Sequence, residues 1–166
     1  MLGAATRTMV AALALSAAGL VGIANWEQFA PRTYADAVGV PTIGYGTTEG
    51  VKPGQTITPE RALVKLLQHV DKDSAAAVRR CVTVPLFQHE FDAYVSLTYN
   101  VGSANFCNST LVKLLNQGQY AQACEQILRW DRAGGRQLRG LTSRRQAERD
   151  TCMGSAANAP TYKAAA

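Results

Sequence analysis

Between Arg7 and Glu27 the chain carries nineteen consecutive residues, Thr8 to Trp26, without a charge. Wound as a helix at about 1.5 Å per residue, this run would reach about 28 Å, close to the hydrocarbon thickness of a bilayer. Its apolar content is thin: MVAALALSAAGLVGIA holds six Val, Leu or Ile residues among Ala, Gly and Ser, so membrane insertion is expected to be marginal. Pro31 disfavours the α conformation in the residue before it, so the helix should end at or before Ala30. From Tyr34 to Tyr45, β-prone Tyr34, Val38, Val40, Ile43 and Tyr45 are interrupted by Asp36, Gly39, Pro41, Gly44 and Gly46, which predicts a short twisted hairpin with tight turns. Thr58-Pro59-Glu60 is a helix start, and Leu63, Leu66, Leu67 and Val70 recur at helical spacing after it, predicting a helix from about 59 to 79. Further helices are expected near 88–100, 109–116, 119–130 and 143–153, punctuated by Gly102 and Gly118. No repeat is present, and the small-residue tail from Gly154 to Ala166 is expected to be mobile.

A chain of 166 residues with 47% hydrophobic content suits one ordinary globular domain. The formal charge of +5 favours an anionic partner without choosing among nucleic acid, anionic lipid and acidic envelope polymers. Seven arginines lie between Arg129 and Arg149, against Asp131 and Glu148. No aromatic interleaving accompanies them, so solvated helix faces are the expectation and nucleic acid is not an expected partner. Cys81, Cys107, Cys124 and Cys152 form no C-x-x-C pair, and two histidines are too few to suggest zinc; no metal and no cofactor is expected. His69 and His89 are assigned no chemistry. Two disulfides in an oxidising compartment are expected, with four buried thiols as the competing reading. Antiparallel packing of the last helices would pair Cys124 with Cys152 and leave Cys81 for Cys107.

The uncharged run admits three readings. It is a signal peptide cut at a small-x-small site such as Gly22-Ile23-Ala24 or Ser16-Ala17-Ala18, a permanent anchor, or an uncleaved signal-anchor that later leaves the bilayer and packs as an ordinary helix. Arg7 and the chain amine before the run place the N-terminus inside and the remainder outside. Glu27 decides for retention, because cutting after Ala24 would leave it as third residue, with no helix to hold it. At the negative end of a helix, between Trp26 and Phe29, its carboxylate is expected to have a raised pKa, each unit of which costs about 1.4 kcal/mol. That placement suits a general acid.

Eight residues separate Glu27 from Asp36, and five separate Asp36 from Thr42. With this spacing come the TIGYG segment, FDAYVSLTYNVG at 91–102, STLVKLLNQG at 109–118 and RW..AGGRQLRGLTSRRQAE at 129–148. In order and spacing these resemble the phage T4-type lysozymes, endolysin muramidases with a Glu/Asp/Thr triad, over residues 25–153. The N-terminal run is similar to the signal-anchor-release helices of their exported subgroup, and departs from the thiol-activated members in having no cysteine there.

The resemblance implies an α+β fold, mainly helical, with a small β-hairpin lobe and a long helix connecting it to a larger helical lobe. Three regions are implied: a signal-anchor-release helix over 1–26, a catalytic domain over 27–153 and a tail over 154–166. It further implies cleavage of the β-1,4 bond between N-acetylmuramic acid and N-acetylglucosamine, with Glu27 as acid, Asp36 as base or electrostatic stabiliser, and Thr42 holding the attacking water. Inversion at the anomeric carbon is suggested by the same likeness. Tyr45 is a candidate cleft residue, with core packing as the alternative. Singly, Asp36 reads as a turn residue and Thr42 as a strand former. The expected partners are peptidoglycan and, before release, the host inner membrane, followed by the periplasm; a monomer is expected. A non-catalytic envelope protein holding glycan in the same cleft is the competing reading.

Overall fold

The computed structural model describes residues 6–36 and 38–154, so the expected tail from 155 onward lies outside the described residues. The uncharged run does not form one helix. A 3-10 turn at Val10–Ala12 is followed by extended chain, and only then by α1, Ala17–Trp26. The break lies at Ser16, whose hydroxyl caps α1 by accepting from the Gly19 N–H at 3.0 Å. Asp92 fixes that cap from 76 residues away, accepting from the Ser16 N–H at 3.0 Å and from its hydroxyl at 2.5 Å. Among the described residues no helix is long and apolar enough to cross a membrane.

Strands β1 (Ala30–Ala35) and β2 (Pro41–Gly44) pair antiparallel, with Tyr34 opposite Thr42 and Ala30 opposite Gly44. Gly44 has φ of +67°, and a Cβ placed there would approach the Cβ of Ala62 to 2.9 Å. The residue therefore answers both a left-handed backbone and the close approach of α2 (Pro59–Val70) to the hairpin. Helix α2 is capped by Thr58 with Pro59 in its first turn, and runs on through a π-helical stretch, Asp71–Ala75, into α3 (Ala76–Cys81). Together these make the long connecting helix expected over 59–79.

The larger lobe is built on α4 (Gln88–Val101), from which Phe91, Tyr94, Val95 and Leu97 are fully buried. Around it pack α5 (Ser103–Cys107), α6 (Thr110–Asn116), α7 (Tyr120–Gln126) with a 3-10 extension to Arg129, and α8 (Arg139–Cys152). A two-residue turn at Gly134-Gly135 joins two short strands before α8, β3 (Arg132–Ala133) and β4 (Arg136–Gln137), which sequence reading did not expect. The N-terminal segment belongs to the core of this lobe: Val10 and Ile23 are buried in it, and Thr8 and Leu86 exchange backbone hydrogen bonds of 2.8 Å in each direction. Arg7 stacks its guanidinium 3.6 Å from the Tyr120 ring centroid and 4.3 Å from that of Phe87, while donating to both oxygens of buried Glu90 at 2.7 and 3.0 Å.

Cys81 is bonded to Cys107, tying α3 to α5, and Cys124 to Cys152, tying α7 to α8. The second bridge closes a separation of 28 residues, for which loop-closure entropy gives about 3.6 kcal/mol. Replacing both Cys124 and Cys152 by Ala is therefore expected to lower the thermal midpoint by more than 5 °C, as read by circular dichroism; an unchanged midpoint would show that the bridge adds no stability.

Candidate active site

Glu27 is the residue at which α1 stops. Its backbone turns extended (φ −97°, ψ 136°) while its N–H still bonds to the Ala24 carbonyl, so the side chain leaves from a fixed helix end. β1 begins three residues later, and Pro31 at its second position prevents the helix from continuing. The carboxylate does not have the purely apolar company expected from its neighbours in sequence. Trp26 is 39% exposed, and Arg144 of α8 donates from Nη1 to Glu27 Oε1 at 3.1 Å.

Arg144 is itself buried and is held from behind: its Nε donates to Glu148 Oε1 at 3.0 Å, and its Nη2 meets the Ser96 carbonyl at 3.5 Å. Glu148 also accepts from the Ser96 hydroxyl at 2.7 Å and pairs through Oε2 with Arg145 Nη1 at 2.8 Å. Arg145 has no exposed surface, and burial pushes its guanidinium below the ordinary range, opposed by the Glu148 carboxylate. The arginine-rich stretch expected to be solvated thus turns two of its members inward. Their signal was available in the sequence: Arg144 and Glu148 stand four apart, and Arg145 and Glu148 three apart, the spacings at which side chains meet on one helix face.

Tyr99 completes the surroundings of Glu27 from α4. Burial, and next the Glu27 carboxylate, push its hydroxyl up to about 12, so it is a neutral donor at any physiological pH. The hydroxyl meets the Tyr45 carbonyl at 3.4 Å, and the Tyr45 ring stands 5.3 Å from that of Phe29. Tyr45 is half-buried between Phe29 and Tyr99, and both tyrosines pack against the core.

Thr42 lies on β2 opposite Tyr34, and Asp36 follows the last residue of β1 at the start of the turn. Asp36 does serve the turn: its Oδ1 accepts from the N–H groups of Val38 and Val40 at 2.9 and 2.8 Å. Those bonds also fix the carboxylate. Thr42 is 3% exposed and donates from its hydroxyl to the Val40 carbonyl at 3.0 Å. Because Ala30 pairs with Gly44, the second strand returns to within a few residues of Glu27 along the ladder. A separate groove of about 670 Å³, lined by Ile43, Ile57, Glu60, Val64 and Lys65 among others, lies between the small lobe and α2 and includes none of Glu27, Asp36 and Thr42.

Comparison with known proteins matches residues 24–148 to the phage lysozyme family. A "SAR-endolysin" of bacteriophage PS119 is 40% identical over 124 residues, covering 74% of this chain and 73% of that protein. The solved endolysin of Escherichia coli O157:H7 phage FAHEc1 superposes with a TM-score of 0.77 at 38% identity, over 87% of this chain and 96% of the other. P22 lysozyme superposes with a TM-score of 0.79 at 33% identity, covering 85% and 99%.

Proposed function

We propose how this chain, which belongs to the phage lysozyme family, carries out its reaction and is held in check before it acts. It is a phage endolysin, a muramidase whose substrate is peptidoglycan, and the non-catalytic reading gives way to that. In the proposed mechanism Glu27 gives its proton to the glycosidic oxygen as the bond breaks, because an alkoxide leaving group needs neutralising in the oxocarbenium-like transition state. Asp36, anchored by two backbone N–H groups, supports the developing positive charge or takes a proton from water, and Thr42 orients that water from the same hairpin. Arg144 holds the acid in register. The observation that carries this reading is the Arg144 bond to Glu27, which ties the end of α1 to α8.

The second part of the proposal concerns export. Residues 8–26 enter the inner membrane uncleaved, N-terminus inside, and later leave it to take their place in the larger lobe; relatives named SAR-endolysin support this reading. While the segment spans the bilayer, Arg7 is on the cytoplasmic side and cannot meet Glu90, and Glu27 is pinned at the lipid surface. An inside-negative potential holds Arg7 in place, its charge resisting transfer by about 2.3 kcal/mol per 100 mV. Collapse of the potential removes that restraint. Energised inner-membrane vesicles carrying the protein are expected to leave added peptidoglycan intact until an ionophore is supplied, and to digest it afterwards. Full digestion before the ionophore would exclude control by tethering.

A further inference from the structure

Resting on the reading of Glu27 as the acid, we infer that Glu148 is a positioning residue for it: from behind Arg144 it both aims the guanidinium and cancels its charge. Arg144 has three directions in which to donate, and two are taken by Glu148 Oε1 and the Ser96 carbonyl, leaving Nη1 for Glu27 Oε1. A planar guanidinium held at two points cannot turn about its stem, so the third contact is fixed in space. Glu148 is fixed in turn by the Ser96 hydroxyl and by Arg145.

Glu27, Arg144, Glu148 and Arg145 form one row of alternating sign, the last three of them buried. With its proton on, Glu27 leaves the row at +1. Without Glu148 the row would stand at +2, with two adjacent guanidinium groups out of water and nothing between them, and it would favour the ionised acid. Glu27 is faced by Arg144 from α8 and Tyr99 from α4; Glu148 is faced by Arg144 and Arg145 on its own helix and by Ser96 from α4. Arg145 Nη2 donates to Asn100 Oδ1, while its Nε and Nη1 make no hydrogen bond among the described residues, so the charge of Glu148, 2.8 Å from Nη1, is its main compensation. A carboxylate this deeply placed therefore lets an arginine orient the acid without trapping it in the charged form.

The test is the pH dependence of kcat/KM on purified peptidoglycan for Glu148→Gln, in protein shown to be folded by circular dichroism. The alkaline limb is expected to move about one pH unit lower, with the rate on that limb falling about tenfold and recovering towards wild type in acid. Arg145→Gln, which removes a cation from the same row, is expected to move the limb the other way, and provides the measurement should Glu148→Gln fail to fold. Ser96→Ala removes a hydrogen bond and no charge, and is expected to leave the limb in place. A limb unmoved in both charge-changing variants would overturn the inference and reduce Glu148 to a packing residue. If Glu27→Gln remained active, the underlying reading of the acid would fail instead, so the two failures are distinguishable.

Discussion

Glu27→Gln is expected to lower lytic turnover by about 10²–10⁴-fold, the usual contribution of a positioned general acid. The amide is nearly the same shape, and its oxygen can still accept from Arg144, so the end of α1, the hairpin and the contact between Tyr45 and Tyr99 should stand as before. What is lost is the proton. Turbidity of peptidoglycan suspensions measures the loss, and cosedimentation with intact sacculi measures binding, which is expected to stay within a few-fold of wild type. Lysis at the wild-type rate would place the acid elsewhere. Loss of binding together with turnover would instead indicate a collapsed cleft.

The second large effect concerns the segment before the acid. A chain beginning at Asn25, the product of a cut after Ala24, is expected neither to fold stably nor to lyse. Val10 and Ile23 each contribute about 1.5–3 kcal/mol by burial. Glu90 would lose both guanidinium bonds, and a buried charge stripped of its partner costs about 3–5 kcal/mol. Asp92 would lose the two bonds from Ser16. Together these are comparable to the whole margin of an ordinary domain, about 5–15 kcal/mol. Near-ultraviolet circular dichroism would be expected to show no fixed tertiary packing in the truncated chain. A cooperative thermal transition within a few degrees of the full chain would show that residues 6–24 are dispensable to the fold.

Much of this was legible in the residues because local rules decided it. Pro31 ends α1, Thr58 and Pro59 start α2, and the alternation around Gly39 and Pro41 makes the hairpin. Where distant partners decide, the pattern is silent. The run from Thr8 to Trp26 looks like one helix, yet Asp92 seizes Ser16, Arg79 donates to the Leu13 carbonyl and Gln88 to that of Ala14, so the chain stays extended over 13–16. Arg144 and Arg145 look like solvent charges until Ser96 and Glu148 are seen behind them. The β3–β4 hairpin was readable from its Gly-Gly loop, since both glycines take the positive φ that such two-residue turns require. The spacing of Glu27, Asp36 and Thr42 is read within one short stretch of chain, whereas the residues around Glu27 come from α4 and α8, more than 70 positions away, and only the tertiary fold brings them to it.

On the proposed reading, one segment enters the membrane, leaves it on the far side, ends in the acid and fills the lobe. Intact-mass measurement of the active protein recovered from the periplasm tests this most directly. Retention of the residues from Arg7 onward is the predicted result; an active species beginning at Asn25 would contradict it.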